Sequence, residues 1–396
     1  MTDTDPIAIC SARRTPLGAF AGALSPVPAP MLGAAAIAAA LEDAGVDPAG
    51  VGEVMMGCVL TAGQGQAPAR QAARFAGLPD HVGATTVNKV CGSGMKAIMT
   101  AADLLTLGRA DLIVAGGMEA MSRAPHLLAA LRGGQKSGAA TLVDHMLRDG
   151  LEDAYETGRS MGSFGEATAW EYGFTREDQD AFAIETLERA QAALSSGAFE
   201  AEIAPVTVPG RKGDTLVSAD ERPGLLDSTK IPKLRPAFAE DGTITAASAS
   251  GNADGAAALV LAPMPVAEAL GLPVLARIAG QAAHAQAPAR YTTAPGPAIR
   301  KLLAQTGWTP DDVDLWEINE AFAVVAMAAA KDIGIPREKL NVNGGACALG
   351  HPIGATGARL VVTLLHALRA RGLSRGVASL CIGGGEATAV AIEIVT

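Results

Sequence analysis

The sequence predicts an α/β fold made of two similar halves, with a long excursion away from the core. Three observations predict it. Short β-rich runs alternate with helical periodicities toward both ends of the chain. The segment Ala40–Val51 is echoed by Leu302–Val313, with Gly45/Gly307, Pro48/Pro310 and Val51/Val313 at one offset. The stretch from about Ser122 to Ala247 carries the polar loops RGGQKSG, TVPGRKGD and ERPGLLDSTKIPKLRP, unlike either flank.

The elements follow in order. Ile7–Cys10 reads as a strand, and Met31–Ala44 as an Ala-rich helix stopped by Gly45. Val54–Val59 and Thr85–Val90 read as strands. The second runs straight into a helix, where Met95, Ile98, Met99, Ala102 and Leu105 share one face as far as Gly108. Leu112–Ala115 reads as a buried strand ending at Gly116-Gly117. Inside the excursion, Gly165–Trp170 and Arg176–Leu194 read as helices, the latter capped by Thr175. Strand pattern resumes at Gly255–Ala262 and again after Pro273. Leu315–Ile318 repeats the strand that follows the first Pro-bearing turn. A second echo pairs Val90–Gly94 with Leu380–Gly385, which adds to the reading of a duplicated unit.

Composition sets the outer limits. The 396 residues allow two or three domains at roughly 100–200 residues each. Apolar residues make up 49% and charged residues 18%, against a usual ~25% charged, which excludes a disordered chain. The net charge of −10 and aromatic content of 4% argue against nucleic acid and anionic membranes as partners. The uncharged run Thr15–Leu41 is broken by Pro16, Pro26, Pro28 and Pro30. Its apolar end falls short of the ~20 residues that span a bilayer. MTDTDPIAIC has no leader pattern and EIVT is no peroxisomal address, so the expected compartment is the cytoplasm. Cys10, Cys58, Cys91, Cys347 and Cys381 are odd in number and widely spaced, as free thiols would be.

Four places could carry chemistry. In NKVCGSGMKA, Cys91 sits where a strand gives way to a helix. The unsatisfied N–H groups and dipole there favour a thiolate and so predict a lowered thiol pKa. Gly92 and Gly94 would allow a tight turn and close backbone approach. In NGGACALGHPIGATGAR, His351 lies among glycines, and a histidine near an activated thiol is the usual base. Cys347 and His351 have half a zinc spacing, but no second pair follows at ligand spacing, so no metal is expected. In SLCIGGGEA, Cys381 precedes glycines whose N–H groups could face an oxyanion. In WEINEAFAV, Asn319 is either a helix cap or a site residue.

Together and in this order, VCGSGMKA, GGMEAMSRAP, NEAFA, NGGACALGHPIGATGAR and CIGGG resemble the thiolase family over essentially the whole chain. The likeness is greatest to its acetyl-CoA acetyltransferase branch. MGSFGEATAWEYGFTREDQDAFA and KLRPAFAEDGTITA fit that family's long loop domain. The resemblance implies a layered α/β/α/β/α fold of two duplicated halves with an inserted loop domain. The implied boundaries are 1–121 and 248–271 for the N-terminal half, 122–247 for the CoA-binding insertion, and 272–396 for the C-terminal half.

It also implies roles. Cys91 would accept the acyl group and His351 would take its proton. Cys381 would be the acid/base at the α-carbon. Asn319 would hold a water that, with His351, polarises the thioester oxygen. The N–H groups of Cys91 and Gly383 would form a second oxyanion hole. Ser250, Ala246, Phe322 and Met161 would meet CoA or the acyl group, with Tyr291 opposite Met161 limiting acyl length. CoA phosphates need cations, and among Arg211, Lys212, Arg222, Lys230, Lys233 and Arg235 the candidate is Arg222.

The implied reaction is ping-pong condensation of two acetyl-CoA to acetoacetyl-CoA and CoA, and its reverse. CoA is then a substrate and no cofactor is expected. A homotetramer, or a homodimer, is implied. The two thiols would need environments that push their pKa values apart. Ser160, Ser248 and Glu386 stand where the family often has His, Asn, and Met or Gln. Alternatives are a broader 3-ketoacyl-CoA thiolase of β-oxidation, a ketoacyl synthase relative, and a non-catalytic acyl-CoA carrier.

Overall fold

The computed structural model describes residues 5–134 and 137–395. Residues 1–4 and 396, within the terminal segments MTDTDPIAIC and EIVT, and Gln135–Lys136 of the first polar loop lie outside the described residues.

The principal strands are β1 (Ile7–Arg14), β2 (Glu53–Gly57), β3 (Gly83–Val87), β4 (Ile113–Ala120), β5 (Ala253–Pro263), β6 (Ala276–Ala285), β7 (Leu315–Ile318), β8 (Arg375–Ile382) and β9 (Glu386–Ile394). The principal helices are α1 (Ala29–Ala44), α2 (Pro68–Phe75), α3 (Ser93–Thr106), α4 (Met161–Tyr172), α5 (Arg176–Ser195), α6 (Pro295–Thr306), α7 (Ala323–Ile333) and α8 (Ile353–Ala370).

The strands form one sheet in the order β7-β8-β9-β6-β1-β5-β4-β2-β3, with the short strand Gly18–Ala19 on β5. The two wings meet where Ile7–Ile9 of β1 pairs with both β5 and β6. Alternation along each strand sets the layers. On β5, Ala256, Ala258, Val260 and Ala262 pack under α1 and α2. The intervening Ala257, Leu259 and Leu261 face α3 and α8. On the other wing, Val390 and Ile392 of β9 face α3 and α8, whereas Ala387, Ala389 and Ala391 face α6 and α7. The layers therefore run α1/α2, first wing, α3/α8, second wing, α6/α7.

Most of the expected elements are present, with informative shifts. Gly45, at φ 66°, caps α1, and Gly307, at φ 72°, caps α6. Each is followed by a Pro-bearing turn and a strand, so the first echo marks a true repeat of α1–β2 in α6–β7. The second echo does not. Cys91 lies between β3 and α3, whereas Cys381 ends β8 in a hairpin with β9. The segment that enters α8, the middle-layer mate of α3, carries His351 instead.

Gly116 and Gly117 do not end their strand; β4 continues to Ala120. A Cβ on Gly116 would stand 2.0 Å from the Ala257 carbonyl oxygen, and one on Gly117 2.1 Å from that of Gly354. Their absent side chains let β4 approach β5 and the start of α8, which is a packing need and not a turn.

Residues 121–252 leave β4 and return into its hydrogen-bonded neighbour β5, where Asp254 lies opposite Ala120. A capping box between Thr175 and Asp178 starts α5. Buried Arg14 on β1 fastens this excursion to the sheet, bonding Glu202 at 2.6 Å and Asp220 at 2.7 and 2.8 Å. Among the described residues no helix is long and apolar enough to cross a membrane.

Candidate active site

A cleft of about 500 Å³ opens where the excursion meets the core, and Met161, Arg222, Ala246, Ser250, Phe322 and His351 help to line it. Met161 and Phe322 also belong to the apolar cluster that holds Cys381 and Tyr291. The cleft wall is thus continuous with the surroundings of the sulfur.

The chain leaves β3 at Val87, short of the expected strand end, because Val90 takes φ 46°. That left-handed conformation is costly for a β-branched residue. Local bonds enforce it: Val90 N–H donates to Asn88 Oδ1 at 3.0 Å and the Ser93 hydroxyl to the Val90 carbonyl at 2.6 Å. The turn delivers Cys91 to the N-terminus of α3. Gly92 and Gly94 owe their identity to crowding from the other half more than to a turn. A Cβ on Gly92 would lie 2.3 Å from Ile382 Cδ1, and one on Gly94 3.0 Å from the Gly354 carbonyl oxygen.

The N–H groups of Cys91 itself and of Gly383 favour the Cys91 thiolate. Burial nevertheless dominates, and with nearby Glu119 opposing a second negative charge, the thiol is pushed up to about 11. The expected lowering is therefore not found in the resting protein. Burial outweighs the helix start and the two donors. Cys381 is also pushed up, by burial and then by Cys91, so both thiols move upward. Tyr291, in the same apolar cluster as Cys381, is likewise raised, by burial and then by Cys381 and Cys91.

His351 is buried, and burial, then Arg359, lowers its pKa to about 3. Its tautomer follows from its neighbour. The Thr356 hydroxyl donates to the Pro352 carbonyl at 3.0 Å, so at 2.6 Å it accepts from His351 Nδ1–H. Nε2 therefore carries the lone pair. It has no protein partner among the described residues, as a base awaiting a proton requires. Cys347 turns its sulfur to the Glu320 carbonyl at 3.7 Å, so the Cys347–His351 spacing does not assemble as a ligand pair.

Asn319 does not cap α7. The cap position is Phe322, and Asn319 is fully buried with both amide atoms unpartnered among the described residues. Glu320 beside it accepts from Thr186 Oγ1, Asn341 Nδ2 and Cys347 N at 2.7 to 3.1 Å. That fixes the strand-to-helix junction. Ser250 N–H donates to the Ala321 carbonyl at 3.0 Å, which ties the cleft wall to the same junction.

Tyr291 is buried and not an exposed loop residue. Its hydroxyl donates to the Met161 carbonyl at 2.9 Å and its ring meets Phe164 edge-on at 6.0 Å. Arg222 has no carboxylate partner among the described residues; its guanidinium lies against Gly251 and approaches the Cys347 carbonyl at 3.5 Å. A part-buried unpaired cation in a cleft wall suits an anionic ligand.

Sequence reasoning missed Thr356 and Glu119. Glu119, buried on β4, accepts from Val59 N and Leu60 N at 3.0 and 3.1 Å and from Gly354 N at 2.9 Å. Burial raises its pKa to about 7. A carboxylate inside an apolar strand was the available signal.

The models of the thiolase N-terminal domain and the thiolase C-terminal domain match residues 7–264 and 272–394. The acetyl-CoA acetyltransferase of Chromobacterium violaceum is 51% identical over 98% of this chain and 99% of its own. That of Cupriavidus necator is 52% identical over 99% of this chain and all of its own. The crystal structure of the Bacillus anthracis acetyl-CoA acetyltransferase superposes with a TM-score of 0.96 at 41% identity, covering 99% of both chains. With both domain models matched in order and relatives half identical along their full length, the chain belongs to the thiolase family.

Proposed function

We propose that this chain is an acyltransferase that condenses two acetyl-CoA to acetoacetyl-CoA and CoA, and cleaves acetoacetyl-CoA in reverse. The observation that carries the reading is a thiol at the start of α3 together with a cleft-lining imidazole whose buried Nε2 has no partner among the described residues.

His351 Nε2 takes the Cys91 proton as the sulfur attacks the acetyl thioester carbonyl. The departing CoA thiolate takes that proton from the imidazolium, leaving S-acetyl-Cys91. Because both partners rest uncharged, the thiolate forms only as the carbon–sulfur bond does, and the N–H donors act on charge as it develops. For the second half, Cys381 first gives its own proton to solvent and then, as thiolate, removes an α-proton of a second acetyl-CoA. The carbanion attacks the acetyl carbon, and Cys91 leaves as thiolate and regains a proton from solvent. In thiolysis Cys381, a neutral thiol at rest, returns that proton to the departing carbanion. Asn319, with its buried unpartnered amide, is the group for a water at the thioester oxygen. No separate cofactor enters these steps.

Tyr291 and Met161 close the acyl side, which supports acetyl over longer groups and sets the broader β-oxidation reading second. Wild type is expected to cleave acetoacetyl-CoA well and six-carbon 3-ketoacyl-CoA at least about tenfold less well. Tyr291→Ala, or the better-filling Tyr291→Leu, should narrow that gap. A chain-length profile unchanged in both folded variants would remove Tyr291 from the role. Arg222→Met is expected to raise the KM for CoA about tenfold with kcat little changed. An unaltered KM would take Arg222 out of CoA binding. Cytoplasmic placement and assembly into homotetramers or homodimers complete the reading. The outer edge of β3 and the exposed Leu131 and Leu142 are surfaces suited to assembly.

A further inference from the structure

Cys91 and Gly383 belong to loops from opposite halves, and the Gly383 N–H favours the Cys91 thiolate. The loops touch repeatedly. Gly92 is pressed by Ile382, and Val90 Cγ1 would lie 3.8 Å from a Cβ on Gly383. One further contact is ionic: Lys89 Nζ meets Glu386 Oε2. Lys89 stands two residues before the nucleophile, and its N–H bonds the Ser93 hydroxyl at 2.8 Å. Glu386 lies opposite Ile382 in the β8–β9 hairpin, just past the glycine turn that presents Gly383. Glu386 is also a position where the motif departs from the family pattern described above.

We propose that the Lys89–Glu386 ion pair is a positioning latch that holds the Gly383 N–H on the Cys91 sulfur. The inference rests on the proposed reaction and deepens it. The pair lies outside the cleft lining, so neither residue is assigned a contact with substrate. Its two side chains retain 24% and 36% of their exposure, so single variants keep the buried core intact. Acyl transfer is sensitive to the placement of an oxyanion donor, so a loosened latch acts on kcat more than on KM.

The test uses Lys89→Met, Glu386→Gln and the exchanged pair Lys89→Glu with Glu386→Lys. Acetyl transfer and the pH dependence of Cys91 alkylation by iodoacetamide are measured for each. Glu119, Cys381 and Tyr291, whose charges bear on Cys91 or feel it, are unchanged throughout. Both single variants are expected to lose about tenfold in kcat with KM within about twofold. Both should shift the alkylation midpoint upward, because a donor to the thiolate is lost. The exchanged pair should restore both. Overturning results are wild-type behaviour of the singles, failure of the exchange, or midpoints moving up without Lys89 and down without Glu386. The last pattern marks a direct charge effect on the thiol. Alkylation needs no CoA, so the expected midpoints in a protein that transfers no acetyl would uphold the latch and reject the proposed reaction.

Discussion

Cys91→Ala is expected to abolish acetyl transfer, with a fall on the order of 10⁴-fold or more, as when the nucleophile of a catalytic unit is removed. The direct readout is covalent. Incubation with acetyl-CoA, an acid quench and mapping of the tryptic peptide Val90–Lys96 should show one acetyl on Cys91, removed by free CoA. The geometry makes this site-selective. Cys10, Cys58, Cys347 and Cys381 are all buried, and Cys91 alone is partly exposed. The Cys91 thiolate is also favoured by the Gly383 N–H from the other half. An unmodified Cys91 in folded protein that binds CoA would sink the reading and bring the carrier alternative forward.

Cys381→Ala should separate the two halves of the reaction. Acetylation of Cys91 needs His351 and the N–H donors, so it should persist. Condensation and thiolysis need a proton moved at the α-carbon, and their rates should fall by about 10²–10⁴. The accumulated S-acetyl-Cys91 then becomes a stable product, visible in the same peptide map. Loss of acetylation in step with condensation would show that Cys381 is not confined to the second step. The raised pKa fits the assignment: a thiol that is neutral at rest donates a proton in thiolysis, and its thiolate, once formed, is a strong base.

Much of the fold was legible because it is written in local signals. Gly45 and Gly307 stop helices through their own backbone freedom, and Thr175 starts one through its own hydroxyl. What misled were signals whose cause lies elsewhere in the chain. Gly116-Gly117 reads as the end of a strand, but its identity is dictated by the Ala257 and Gly354 carbonyls. Val90 reads as strand because β-branched residues favour it, yet Asn88 and Ser93 bend it into the left-handed region. The Cys91/Cys381 echo was a likeness of letters between a strand–helix junction and a hairpin.

The site shows the same division. Motifs put Cys91, His351, Cys381 and Asn319 on the page. They could not show that Thr356 fixes the imidazole tautomer, or that Tyr291 is buried in the cluster that holds Cys381. Nor could a helix-terminus argument foresee that burial would outweigh the dipole at Cys91. Each depends on packing between segments far apart in sequence.

The division of the site between the two halves also orders events in time. A ribosome releases the Cys91 loop long before it makes His351, Cys381 or Gly383. Until the second wing closes over α3, the emerging thiol has neither a proton acceptor nor the Gly383 donor. The nascent chain can therefore thread through a solution of acetyl-CoA as an ordinary cysteine peptide. Competence requires the docking of the two halves that also completes the shared core around α3 and α8.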